Sequence, residues 1–565
     1  MTRRFATPRA IRWALPFVLV VAAACSPDVR QEDATEGGGT LVVVVPAEPA
    51  TLLPPMVTST QGGDIVGVLF ERLAEIGPRL ETYGDAGFEP RLARVWQWSP
   101  DSLSIAFTLD SAARWHDGRP VRAADVRFSF GVYSSDSLTT EHQALLANID
   151  SVSVRDTLTA IFWFKRRTPQ QFYDATHHMY VLPAHRLDTI PLSRLADAAF
   201  GRTPIGSGPF RFARWTPGQR IELEANTTYA QGRPVLDRVI WTITPDPGAA
   251  TVALFAGEAD FFEMIRPEHL PQVARTPTLR LVDNRSLQYG FLGFNVQDPK
   301  RPGQTHPVLG DVAVRRALSM AVDRATLVRN VFDSLGLVGL GPAPRALIPD
   351  TTAFTQIPHD PAAARALLDS AGWRDANGDG VRERGGIPLA FEILVPNSSQ
   401  TRQRYAVLLQ ALYRAIGVKA TPRVLDVNAL ITRIDAHDFD AYTGSWQTSP
   451  GLVGLRQTWS STGTGNAGRY ASAAFDAAVD SALSTFDGQA ARSYWSRAFQ
   501  QIIDDAPAVW LYEQRMPVAV HRRFQIPPLH PTGWYRDLAR WRIDPTQRIE
   551  RDRLPVSSTT DSTPR

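Results

Sequence analysis

One cysteine in 565 residues, Cys25, sets the terms on which this chain can fold. Ahead of it lie Arg3, Arg4, Arg9 and Arg12, an apolar run from Trp13 to Val21, and then Ala22, Ala23 and Ala24. A basic start, a short apolar stretch and small residues before a cut are the parts of a secretory signal. The apolar run is too short to span a bilayer comfortably, which takes about 20 apolar residues. An exported chain with no second thiol forms no internal disulfide, so its stability must come from burying a core. Cleavage before Cys25 would leave 541 residues, more than one core usually supports, and predicts two or three domains.

A cysteine directly after three small residues resembles the bacterial lipobox, although Ala22 stands where that motif usually carries Leu. The resemblance implies a diacylglyceryl group on Cys25 and a mature chain held by lipid on the outer face of the cytoplasmic membrane or in the periplasm. The alternative is a structural cysteine in an ordinary signal or anchor.

The formal charge of +3 misleads, because the four Arg of the leader exceed it and leave the mature chain at about −1. Without a dense basic run there is no electrostatic footprint for nucleic acid. The apolar fraction of 44% is ordinary for a globular protein. Fourteen Trp are many; their large faces and single donor suit both cores and broad ligand pockets.

Residues 26–39 are polar and end in Gly37, Gly38 and Gly39, which predicts a flexible tether over 25–39. Leu41–Val45 is a continuous apolar run, the pattern of a strand buried on both faces. Further strands are expected over 104–109, 221–225, 239–243 and 390–395. Apolar stripes at helical spacing predict helices from Val314 to Val328 opened by Asp311, after Asp360–Pro361, from Tyr405 to Ile416, from Phe475 to Phe486 closed by Gly488, and from Trp495 to Ile503. Strands interleaved with helices indicate an α/β or α+β class. The end of the chain, 549–565, is rich in polar residues and is expected to be disordered.

The most specific block lies between Pro90 and Phe130. It reads Pro90-Arg91-Leu92-Ala93, Trp96, Ser99-Pro100-Asp101, Phe107-Thr108-Leu109, Trp115-His116-Asp117-Gly118, Pro120-Val121 and Ala124-Asp125-Val126. Further blocks follow in order: Gly206-Ser207-Gly208-Pro209-Phe210, Asn226 with Tyr229, Gly257-Glu258-Ala259-Asp260, Val314-Arg315-Arg316-Ala317, and Ala371-Gly372-Trp373. Together they resemble the family 5 extracytoplasmic solute-binding proteins, receptors of peptide and nickel ABC importers, over about 41–541. The resemblance implies an α/β, periplasmic-binding-protein-like fold of two lobes with an inserted domain. It divides the chain into a signal (1–24), the tether (25–39), domain I (40–74, 200–289 and 516–548), domain II (75–199), domain III (290–515) and the tail (549–565). Strands near 287–296 and 512–520 would cross between the lobes and form the hinge.

Peptide receptors of this family carry Trp-x-x-Asp in domain III, whose carboxylate pairs with the ligand's ammonium. Here the segment is Trp446-Gln447-Thr448-Ser449, and a hydroxyl at Ser449 cannot neutralise an ammonium. Simple free dipeptides are therefore expected to bind poorly, or another acid supplies the charge. Glu48, in the loop after the first strand, is the acid considered, with a solvated loop carboxylate as its plainer reading. Tyr289 and Asn397 fall near the lobe junctions and complete the expected ligand set of Trp446, Gln447, Thr448, Ser449, Tyr289, Asn397 and Glu48.

Asp375-Ala376-Asn377-Gly378-Asp379-Gly380 resembles the start of a calcium loop, but Gly386 stands where a bidentate Glu is needed. His177 and His178 are adjacent and point different ways, which disfavours a shared metal. No metal or cofactor is expected. No nucleophile elbow, zinc-peptidase motif or phosphate loop is present. The implied partners are a peptide-like solute, a permease pair and the membrane lipid, with the protein a monomer and not an enzyme. The alternatives are a cell-envelope hydrolase on the same scaffold, or a receptor for an oligosaccharide or chelated metal.

Overall fold

The computed structural model describes residues 38–138, 142–348 and 350–553. Cys25 and most of the expected tether lie outside them. Gly38 and Gly39 do not float: the Gly38 N–H donates to the Val235 carbonyl at 2.7 Å and the Gly39 N–H to the Asp237 carboxylate at 2.9 Å.

In chain order the first lobe opens with β1 (Thr40–Val45) and α1 (Thr60–Leu69). An inserted domain follows, with β2 (Ala93–Trp98), β3 (Ser104–Leu109), α2 (Ala123–Tyr133), β4 (Ile149–Val154), β5 (Thr159–Phe164) and α3 (Gln171–His177). The chain returns through β6 (Phe210–Thr216), β7 (Arg220–Ala225), β8 (Arg238–Ile243), β9 (Phe261–Phe262) and β10 (Leu279–Val282). The second lobe holds β11 (Arg285–Phe294), α4 (Val312–Met320), β12 (Gly336–Val338), β13 (Ala390–Pro396), α5 (Gln400–Arg414), β14 (Lys419–Leu425), α6 (Val427–Asp435), β15 (Ala441–Gln447) and β16 (Ala508–Arg515). The chain then re-enters the first lobe as β17 (Val518–His521).

Three large sheets and three two-stranded ones form among the described residues. The first lobe is ordered β10-β17-β9-β1-β8-β7-β6, the inserted domain β2-β3-β5-β4, and the second lobe β12-β16-β11-β15-β13-β14. The apolar run of β1 is buried throughout because parallel neighbours flank it on both edges and packing covers both faces. The family-signature tryptophan Trp115 is buried and donates to Asp125 at 3.3 Å, while Asp125 also caps α2 by accepting the Arg122 N–H at 2.8 Å.

Several helix boundaries depart from expectation. The stripe from Val314 to Val328 is two helices: Asp311 caps α4, and Asp323 caps a second over Arg324–Phe332 by accepting the Thr326 N–H at 3.0 Å. Arg324 enforces the break, since its buried guanidinium donates to the Trp510 and Ile357 carbonyls and the Ser319 hydroxyl. Gly488 opens the helix over Gly488–Asp505, capped by Asp487, and does not close the preceding one.

Of the expected tail, 549–565, the start is ordered, and 554–565 lie outside the described residues. Asp552 is buried: it accepts the Thr40 N–H at 3.0 Å and lies 3.3 Å from Arg523, which also pairs with the buried Asp260 at 2.6 Å. A buried guanidinium needs such partners, so residues 549–553 are part of the first lobe.

Candidate functional site: the cleft between the lobes

Two strand pairs run continuously through both lobes. Val282 faces Val518 in the first sheet, and Arg285 faces Arg515 in the second. Between them, Asp283–Asn284 and Met516–Pro517 carry the chain across in opposite directions. The Met516 N–H donates to the Asn284 carbonyl at 3.3 Å, and Pro517 has no N–H to offer. Two crossings this thin in hydrogen bonds are where the lobes can bend. The crossing falls at 283–284, so the expected division at 289/290 lies inside β11, and all of β11 belongs to the second lobe.

A cavity of about 340 Å³ sits against this hinge and is lined from both lobes. Glu263, Met264 and Arg266 come from the first lobe; Gln288, Arg402, Ser445 and Tyr512 come from the second. A larger cavity of about 600 Å³ adjoins it and shares Arg402 and Ser445. Its walls are mostly apolar: Phe291, Val427, Leu430, Ile431, Tyr442 and Trp446.

Arg402 is the charge common to both. Helix α5 starts at the Ser399 cap, which accepts the Arg402 N–H at 3.3 Å, and this places the Arg402 side chain beside β15. Its guanidinium donates to the Ser445 hydroxyl and the Thr443 carbonyl, and it hydrogen-bonds Tyr512. Gln288 also reaches Ser445, at 3.3 Å. These partners are all neutral, so among the described residues the cation has no carboxylate to balance it. The sequence reading missed Arg402; nothing local separates it from Arg404 two residues on.

The first-lobe wall brings one acid, Glu263, and one base, Arg266. Asp64, on α1, is buried and accepts from Trp534 Nε1 at 3.3 Å. Burial, and then the charge of Glu263, push its carboxyl well above the usual range. Burial likewise raises Glu263. Both carboxyls are thus raised, chiefly by desolvation.

The expected ligand residues scatter. Trp446 is 40% exposed and lines the larger cavity. Gln447 and Ser449 are exposed beyond it, and Thr448 is tied down, its N–H and hydroxyl both donating to the Leu287 carbonyl at 2.9 and 3.0 Å. Tyr289 is in the core: it is 2% exposed, and its hydroxyl accepts from Trp459 Nε1 at 3.1 Å among Phe291 and Trp510. Asn397 is exposed and lines neither cavity; its N–H donates to the Leu425 carbonyl and its own carbonyl accepts from Gln403. Glu48 is spent inside the first lobe, accepting from Trp215 Nε1 at 2.6 Å and the Gly218 N–H at 3.1 Å, with Arg202 at 3.6 Å. It fastens the β6–β7 hairpin and lines neither cavity.

The other polar motifs are also internal. His116 Nδ1 accepts the Gly206 N–H and Nε2 donates to the Gly208 carbonyl, both at 3.1 Å, which joins the inserted domain to the first lobe. Desolvation lowers its pKa to about 4 and keeps it neutral. In the calcium-like loop, Asp375 accepts the Gly378 and Gly380 N–H groups and Asn377 accepts that of Asp379, so the turn is closed by its own backbone.

The profile of bacterial extracellular solute-binding proteins, family 5 Middle, matches residues 87–466. Over 528 residues the chain is 27% identical to the oligopeptide-binding protein AppA of Bacillus subtilis, spanning 89% of this chain and 91% of that one. The solved structure of that protein in complex with a nonapeptide superposes with a TM-score of 0.69, covering 90% of this chain and 99% of it. The substrate-binding protein CtaP of Listeria monocytogenes shares the fold at a TM-score of 0.78 and 21% identity, covering 90% and 100%. With its two lobes, inserted domain and paired crossing strands, the chain belongs to the family 5 bacterial extracellular solute-binding proteins.

Proposed function

We propose that this protein is the receptor of an ABC importer, lipid-anchored through Cys25, which captures a peptide or peptide-like solute between its lobes and hands it to the permease unchanged. The observation that carries the reading is the cavity astride the hinge, lined by both lobes and holding a guanidinium with only neutral partners. Such a cation is a ready partner for a carboxylate, which it can grip through two parallel hydrogen bonds. The adjoining apolar cavity beside Trp446 accepts a bulky apolar group next to that carboxylate. The likeness to a protein named for oligopeptide binding, and to its complex with a nonapeptide, supports the peptide class.

Mass spectrometry of gently denatured protein tests this. The expected result is a released carboxylate-bearing peptide or peptide-like molecule in near-stoichiometric amount, intact after incubation with fresh protein. Turnover of that molecule, or a retained solute with no anionic group, would refute it.

A further inference from the structure

An arginine-lined cavity lies apart from the cleft. It measures about 390 Å³, shares no lining residue with the two cleft cavities, and is formed by the first lobe with Arg91 beside it. Five guanidiniums line it: Arg91, Arg233, Arg536, Arg540 and Arg542. Three carboxylates share the lining, and each is engaged. Glu75 pairs with Arg536 and lies 3.3 Å from Arg72. Asp537 lies 3.5 Å from Arg540. Glu71 accepts from the Tyr229 hydroxyl, and burial raises its pKa to about 7. Arg233 is taken by Asp237.

Two guanidiniums keep neutral hydrogen-bond partners. Arg91 donates to the Gln231 amide oxygen at 3.0 Å, with Glu89 3.9 Å away, and Arg542 donates to that of Gln525 at 2.8 Å. The buried Arg536 adds an Nε that has no partner among the described residues. An unmatched buried donor is costly, and a guest that accepts from it recovers that cost.

The chain enters the first lobe beside this cavity. The Gly38 N–H donates to the Val235 carbonyl, and the Val235 N–H donates to the Ala539 carbonyl at 3.1 Å; Val235 and Ala539 both belong to the cavity wall. Cys25 stands thirteen positions upstream of Gly38, and a fully extended segment of that length reaches about 45 Å at most. A lipid on Cys25 would keep this face, with its exposed rim of Arg233, Arg540 and Arg542, within that reach of a bilayer. Arginines held near such a surface are drawn to its anionic lipids.

We propose that this cavity takes the phosphate of an anionic phospholipid headgroup, held by Arg91 and Arg542, and so rests the first lobe on the membrane. A phosphodiester is a monoanion whose oxygens accept paired guanidinium hydrogen bonds, and the planar fork of Arg suits it better than an ammonium would. The proposal rests on the lipid-anchored reading and adds an orientation to it.

The mature chain, 25–565, carrying Cys25→Ser takes no lipid, so its co-sedimentation with vesicles reads the protein surface alone. Vesicles of two parts phosphatidylcholine to one part phosphatidylglycerol should pull it down, pure phosphatidylcholine should not, and the difference should shrink as salt is raised. Arg91→Gln and Arg542→Gln should each lower partitioning onto the anionic vesicles by about fivefold, the worth of one arginine near such a surface. Arg423→Gln, on β14 of the second lobe, should change nothing. Arg542 is exposed and carries the test if Arg91→Gln fails to fold. Equal partitioning onto the two vesicles, or equal losses in all three variants, would overturn the site. Calorimetric binding of glycerol phosphate without vesicle binding would make it a site for a soluble anion and overturn the membrane contact. Lipidation is read separately, from the mass of the native protein. An acylated Cys25 with no vesicle binding by the lipid-free chain would remove the headgroup site and leave the anchored receptor standing. An unacylated Cys25 would refute the anchored reading and the orientation with it.

Discussion

The guanidinium of Arg402 donates to the hydroxyl of Ser445, and the two residues are the shared wall of both cleft cavities. One comes from the first turn of α5 and the other from β15, so the pair exists only once the second-lobe sheet has formed. Because its partners are neutral, Arg402 keeps its charge for a ligand. Arg402→Ala is predicted to weaken binding of the co-purifying solute by about 2–3 kcal/mol, or roughly 30- to 150-fold, in calorimetric titration. Arg402→Lys should recover only part, since an ammonium lacks the planar fork.

Trp446 and Tyr289 face each other across β11 and β15, yet they should respond in opposite ways. Trp446 is half open to the cavity, so Trp446→Ala should lower solute affinity by about 1–3 kcal/mol and leave the unliganded unfolding midpoint nearly unchanged. Tyr289 is core, so Tyr289→Ala should destabilise the free protein by about 3–5 kcal/mol in denaturant unfolding. A Trp446 variant that unfolds early, or a Tyr289 variant of full stability, would contradict the placement.

His116 predicts a pH dependence. Its pKa of about 4 in the folded protein lies below the usual 6.5, so folding favours the neutral ring. Its contribution is complete above pH 6.5 and is lost as the pH falls toward 4. Discounted for partial exposure, that loss is on the order of 2 kcal/mol. Urea unfolding at pH 7 and pH 4.5 should show a steeper fall for the native protein than for His116→Gln, with both lines sharing the carboxylate contribution. Parallel falls would remove His116 from the account.

Asp552 predicts that the end of the described chain is structural. Asp552→Ala leaves the buried Arg523 with Asp260 as its remaining close acid and should cost about 2–4 kcal/mol in denaturant unfolding. Deletion of 549–565 should cost at least as much. Full stability after that deletion would restore the reading of this segment as a dispensable tail.

Much of the fold was readable because local chemistry decided it. Leu41–Val45 could only be a strand covered on both faces, and Asp360 with Pro361 could only open a helix; it does so, with Asp360 accepting the Ala363 N–H at 2.8 Å. The site was less readable because partners distant in sequence decide it. Tyr289 and Gln288 are neighbours on a strand paired on both edges, and the alternation alone could not say which of the two reaches the cleft. Glu48 looked available until the β6–β7 hairpin, some 170 residues away, claimed both its oxygens. Arg402 carries no local mark at all and is selected by Ser445 across the sheet.

The central claim is that two lobes joined by the crossings at 283–284 and 516–517 close on a guest. Small-angle X-ray scattering of the protein emptied of solute, then resaturated with the molecule it carried, tests it most directly. A smaller radius of gyration on resaturation, reversed when the solute is removed, is the predicted result. An identical scattering profile with and without a solute shown by calorimetry to be bound would contradict it.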